Sequence, residues 1–140
     1  MTGQVYWEDT AEGMKLPSLV KNVTTRQLVQ YAGASGDFYE IHYDKDFAVA
    51  QGLPGVIIHG ALKSAWIAQV VTDWMGSDGS LQSFSVRYRA MDVPGDNLTC
   101  TATVVEKDEA HRTIRCEIKL ANGTGEITTT GDAVIRLPSR

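Results

Sequence analysis

The sequence predicts an α+β domain in which a curved antiparallel sheet wraps around one long central α-helix. Two observations carry that expectation. The stretch from about Gly60 to Met75 is helical in pattern and apolar around most of its circumference, and the chain after Gly76 reads as a run of alternating strands. A helix that is apolar on several sides needs cover on several sides, which a strongly curved sheet provides. A third observation bounds the domain count. No internal repeat, low-complexity tract or Gly/Ser/Pro linker divides the 140 residues, so one domain over residues 1–140 is expected.

Taken in chain order, a first strand is expected around Lys15 to Val23. Thr24 and Gln27 make a capping box ahead of Leu28, Val29, Tyr31 and Ala32, whose spacing suits the buried stripe of a short helix ending by Gly36. A second short helix is expected after Asp44, through Phe47, Ala48 and Ala50 to Gly52, with Pro54 and Gly55 breaking the chain before Val56, Ile57 and Ile58. Then comes the long helix, with Trp66 and Trp74 read as core. Lys63 is polar on this otherwise apolar helix and reads either as a helix-end residue near a substrate entrance or as a snorkelling side chain.

In the second half, Phe84, Val86, Tyr88 and Ala90 alternate with Ser83, Ser85, Arg87 and Arg89. Leu98, Cys100, Ala102 and Val104 alternate with Thr99, Thr101 and Thr103. Ile114, Cys116, Ile118 and Leu120 continue the pattern, and Asn122-Gly123 marks a turn before a last strand from about Glu126 to Leu137.

Composition narrows the function classes. The formal charge is −4 and the basic residues are scattered, which does not suit a protein that tracks nucleic acid. The start, MTGQVYWEDTAEG, lacks a basic stretch followed by an apolar core, and no apolar run approaches bilayer-spanning length. A cytoplasmic protein without membrane attachment is therefore expected. Cys100 and Cys116 lack CxxC spacing or a His partner at metal-ligand spacing and read as buried thiols.

The chemistry concentrates in Tyr31 to Gly60, YAGASGDFYEIHYDKDFAVAQGLPGVIIHG. Asp37 and His42 stand five residues apart in a polar, Gly-containing bend between two short helices. A carboxylate and an imidazole sharing one water can take up and return protons near neutral pH. Val56-Ile57-Ile58-His59-Gly60 then leads into the long helix. Free N–H groups at a helix start can polarise a thioester carbonyl, and Gly60 permits close approach because it has no side chain. Each residue alone has a structural explanation: Asp37 as a turn residue, His42 and His59 as satisfied core histidines. The ordered constellation favours chemistry.

With its HG before a long helix, this segment resembles the hydratase motif of MaoC-like R-specific enoyl-CoA hydratases and related hydroxyacyl-thioester dehydratases. Trp74-Met75-Gly76, Phe84-Ser85-Val86-Arg87-Tyr88 and Val93-Pro94-Gly95-Asp96 extend the resemblance over roughly the whole chain. It implies the hot-dog fold and reversible, R-specific hydration of a trans-2-enoyl thioester, carried on CoA in preference to acyl carrier protein. It also implies Asp37 and His42 as the catalytic pair holding the water, and the Gly60 N–H as donor to the thioester oxygen. Tyr39, His59, Ala61 and Arg87 are the candidates for substrate contact. Arg87 and Arg89 share one side of their strand, where a solvated sheet face accounts for them and the resemblance adds contact with CoA phosphates.

No metal or redox cofactor is expected, CoA entering only with the substrate. The family usually has Asn-Pro between its acid and histidine, where this sequence has Tyr39-Glu40, a change that bears on loop orientation and substrate range. Ala61 replaces the family's usual Met after HG, which suggests more space near the acyl path. Two rivals accompany this reading. One is a noncatalytic or partner-dependent subunit of a heteromeric hydratase; the other is an acyl-CoA thioesterase, because the fold hosts both reactions. An open edge strand and an incompletely covered face point to at least a dimer, a homodimer or a pairing with another hot-dog subunit.

Overall fold

A computed structural model describes residues 3–140 of the chain. Its strands are β1 (Leu19–Asn22), β2 (Ser80–Tyr88), β3 (Asn97–Asp108), β4 (Thr113–Ala121) and β5 (Ile127–Arg136). Its helices are α1 (Thr25–Ser35), α2 (Lys45–Ala50) and α3 (Gly60–Met75). The strands form one curled antiparallel sheet in the order β1-β3-β4-β5-β2, with α3 lying against β2, β3, β4 and β5. This is the hot-dog architecture that the pattern predicts.

The inward residues of β3 (Leu98, Cys100, Ala102, Val104) and β4 (Ile114, Cys116, Ile118, Leu120) are all buried, and they meet Leu62, Trp66, Ile67, Val70, Val71 and Trp74 of α3. Irregular pairing at Leu81/Ser83, Val104/Glu106 and Leu120/Ala121 adds local twist, which helps the sheet bend around the helix. Helix and sheet approach closely at Gly131 of β5, where a Cβ would lie 2.6 Å from Ile67 Cγ2, so glycine permits the contact.

The elements depart from the sequence reading in four places. β1 is shorter than Lys15 to Val23: Lys15 makes an isolated bridge to Thr103, and Pro17, which has no N–H to give a ladder, separates it from Leu19. In α1, Leu28 and Ala32 are buried but Val29 is exposed, because only an i, i+4 pair faces the core of so short a helix. β2 stops at Tyr88, so Ala90 lies beyond the strand, and Tyr88, though on the α3 side with Phe84 and Val86, is exposed. Lys63 lies in the first turn of α3, but it does not snorkel: it is buried and ion-paired to Asp92.

The two cysteines sit as expected, both free and buried on the inner face, and burial pushes their thiols up to about 11 for Cys100 and about 12 for Cys116. Among the described residues, no helix is long and apolar enough to cross a membrane.

Candidate active site

The site is built where α1 ends and α3 begins. Thr24 caps α1, its side chain accepting from the Gln27 N–H, and Gly36 ends the helix at φ 78°, a left-handed conformation suited to glycine. The chain leaves Gly36 with Asp37 held on both sides. Its N–H donates to Ser35 Oγ at 3.2 Å, and its Oδ1 accepts the Tyr39 N–H at 3.3 Å. Oδ2 is left facing His42 Nε2 at 3.8 Å. That separation is beyond a direct hydrogen bond, yet one water or hydroxyl placed off the line can bond to both atoms.

His42 ends the short 3-10 turn Glu40–His42 and is buried. Its Nδ1 lies 2.8 Å from Ile57 O, while the Ile57 N–H donates to Ile41 O at 3.0 Å. A carbonyl only accepts, so Nδ1 carries a proton, and Nε2 is the ring nitrogen turned toward Asp37. The peptide at Ile57 thus selects the tautomer that a general base needs.

His59, fully buried, stacks on His42 with ring centroids 3.8 Å apart and planes 20° from parallel. Its Nε2–H donates to Asp37 O at 3.3 Å, and Tyr31 packs against its ring. Burial holds the His59 pKa below the usual histidine range, and neighbouring His42 lowers it further, against the opposing pull of Asp37. The imidazole beneath His42 is therefore a neutral wall that also tethers the Asp37 backbone. One ligand atom from each of Asp37, His42 and His59 falls within 4.8 Å of the others, a spacing that raises a metal ion as an occupant. A metal lies in the plane of each imidazole that binds it, at about 2.0–2.1 Å. Stacked, nearly parallel planes do not intersect that close to the nitrogens, so the two rings as arranged cannot ligate one ion together.

Gly60 is the first residue of α3, directly after His59. Its N–H belongs to the first turn, where intrahelical acceptors are lacking and the helix dipole favours negative charge. A Cβ on Gly60 would lie 3.2 Å from Tyr88 Cζ, so the Tyr88 ring, whose hydroxyl hydrogen-bonds Ser64, covers this backbone closely. Ala61 is exposed on the same turn. Tyr39, half exposed, sets its ring edge-on to both His42 and Phe47, at 6.2 and 6.0 Å between centroids.

The fold therefore gathers Asp37, Tyr39, His42 and His59 into one cluster, with Gly60 and Ala61 directly following His59. Arg87 is not brought there. It lines a groove on the outer face of the sheet with Ser85, Arg89, Lys119, Thr130 and Asp132, opposite the face that α3 covers. Sequence reasoning overlooked the packing of Tyr88 on Gly60 and the pairing of Asp92 with Lys63. A lysine on an apolar helix signals that a partner must exist, but nothing in the spacing names it.

The profile of the family described as "MaoC like domain" matches residues 9–125. The chain belongs to the MaoC-like domain family. Within that family it is 28% identical, over 96% of its length and 93% of the relative's, to the (R)-specific enoyl-CoA hydratase of Rhodospirillum rubrum. Among solved structures it resembles the unliganded R-hydratase PhaJ1 of Pseudomonas aeruginosa (24% identity, TM-score 0.89, covering 99% of this chain and 89% of that one), a likeness of fold. It also resembles a chain of the ChsH1-ChsH2 complex of Mycobacterium tuberculosis (25% identity, TM-score 0.84, covering 91% and 98%). The MaoC-like match takes in every residue of the Asp37–Gly60 cluster.

Proposed function

We propose that this MaoC-like chain catalyses reversible hydration of a trans-2-enoyl thioester to the 3-hydroxyacyl thioester, R-specific and with CoA preferred over acyl carrier protein. The observation that carries the mechanism is the Asp37 Oδ2 facing His42 Nε2 at 3.8 Å, with His42 locked by Ile57 in the tautomer that leaves Nε2 free. Asp37 and His42 hold one water between them. As the water oxygen bonds to the β-carbon, the pair accepts a proton and electron density moves to the thioester oxygen, which the Gly60 N–H stabilises. Return of a proton to the α-carbon completes the addition, and the reverse path eliminates water. Oxidation state does not change overall, so the reaction as proposed uses no redox cofactor, and CoA enters only with the substrate.

An enoyl-absorbance assay on crotonyl-CoA, run beside a thiol-release assay, tests the reading. Loss of the enoyl band without free thiol is the expected result; stoichiometric thiol release would establish a thioesterase instead. Tyr39 stands beside His42 where the family usually has Asn, so Tyr39→Asn is expected to shift preference among short, long and bulky enoyl-CoA substrates by about tenfold. The rate on the preferred substrate should change less. Equal specificity constants across that series in both proteins would remove Tyr39 from the acyl path.

The chain is further proposed to act in the cytoplasm as a homodimer. α3 leaves Ala61, Ala65 and Thr72 exposed, and β2 pairs only with β5, so one sheet edge and one helix face are open for a second copy. Light scattering at micromolar concentration should give twice the chain mass. A monomer would move weight to the second reading, a heteromeric hydratase subunit, which the likeness to a chain of the ChsH1-ChsH2 complex favours.

A further inference from the structure

We infer that the buried Lys63–Asp92 ion pair, together with Thr128, is a positioning group that holds the Gly60 N–H and the His42 imidazole in working alignment. This rests on the hydration reading above. Lys63 and Asp92 are each 2% exposed and Thr128 is fully buried. Lys63 Nζ lies 2.9 Å from Asp92 Oδ2 and donates to Ala90 O at 3.0 Å, while Thr128 Oγ1 donates to the same Asp92 Oδ2 at 2.6 Å. The group joins the first turn of α3, the segment leaving β2 and the start of β5.

Its backbone connections lead to the site. The Asp92 carbonyl accepts the Ile58 N–H at 2.9 Å, and the Lys63 N–H donates to His59 O at 3.2 Å. The tripeptide Ile57-Ile58-His59 is thereby held from both ends of the ion pair. That tripeptide supplies the carbonyl that fixes the His42 tautomer and the ring that stacks beneath it, and it leads directly to the Gly60 N–H. Lys63 Nζ also lies 5.8 Å from the centroid of Tyr88, the ring packed on Gly60. An apolar pair would fill the same volume without desolvating two charges, and such replacements are often neutral or stabilising. What an apolar pair lacks is direction. Three directed bonds among Lys63, Asp92, Thr128 and Ala90 O fix the two residues whose backbones hold the lead-in, and the working atoms there must be placed to within a fraction of an ångström.

The test compares Asp92→Asn, Lys63→Met and the charge-free double variant Lys63→Met/Asp92→Leu, each assayed well below its own melting midpoint and normalised to folded protein. Two readouts are taken: crotonyl-CoA hydration across pH, and the Nδ1–H resonance of ¹⁵N-labelled histidine, assigned by its loss in His42→Ala. Loosening the lead-in should lower kcat about tenfold to a hundredfold with KM changed less than about threefold. It should also displace the acidic limb of the pH profile and broaden the His42 Nδ1–H signal by exchange. Should single variants fail to fold, the double variant carries the comparison. Parental kcat, pH profile and Nδ1–H signal in a folded variant would overturn the inference and leave the pair a purely structural contact. If the parental protein does not hydrate crotonyl-CoA, the hydration reading fails separately, and the resonance alone decides whether the ion pair orients His42.

Discussion

Asp37→Asn and His42→Ala are each expected to slow crotonyl-CoA hydration by about a hundredfold to ten-thousandfold, the range typical of general acid–base residues. Because both act on one water, the double variant should be little worse than either single one. The two differ in structural cost. Asp37→Asn keeps an acceptor for the Tyr39 N–H at a half-exposed position, so its stability should stay within about 0.5 kcal/mol of the parent. His42 reads in the sequence as a residue of a polar bend whose loss should open no large core cavity, but it is buried against His59 and bonded to Ile57 O. Its removal leaves that carbonyl unsatisfied, at about 1–3 kcal/mol, in addition to a small void. Thermal melts with the rate assay separate the two effects. Folded variants that hydrate at near-parental rates would reject the pair as catalytic and favour the partner-subunit reading.

Lys63→Ala or Asp92→Ala should lower unfolding free energy by about 3–5 kcal/mol, since each leaves the opposite charge buried without its counterion. The hydrophobic double variant Lys63→Met/Asp92→Leu should recover most of that loss, though Thr128 and Ala90 O lose the partners they have now. Denaturant titrations of the three variants measure this as displaced midpoints. A loss under about 1 kcal/mol in either single variant would mean that water reaches the pair and relieves the charge.

Much of this architecture was written in local pattern. The circumference of α3 is apolar because it lies inside a curled sheet, so its boundaries follow from composition, and β3 and β4 alternate cleanly because each has one face on that helix. Thr24, Gly36 and Asp44 mark helix ends through bonds to residues three or four positions away, which spacing alone reveals. The Asp37–His42 pair was legible for the same reason, as both residues lie in one bend. Alternation placed Tyr88 on the side of α3, where it packs on Gly60, but not its exposure, because β2 ends there over the first turn of the helix.

The sequence by itself therefore determined the fold class, the helices and their caps, and which short segment brings Asp37 and His42 together, because each depends on residues within a few positions of one another. Only the tertiary structure decided the His42 tautomer, set by a carbonyl 15 residues away, and the stacking of His59 on His42. It alone paired Lys63 with Asp92, 29 residues apart, and placed Arg87 on the outer face of the sheet. These contacts join distant parts of the chain through directed bonds and close packing, and hydrophobic periodicity records only which side of an element is buried, not which group it will meet there.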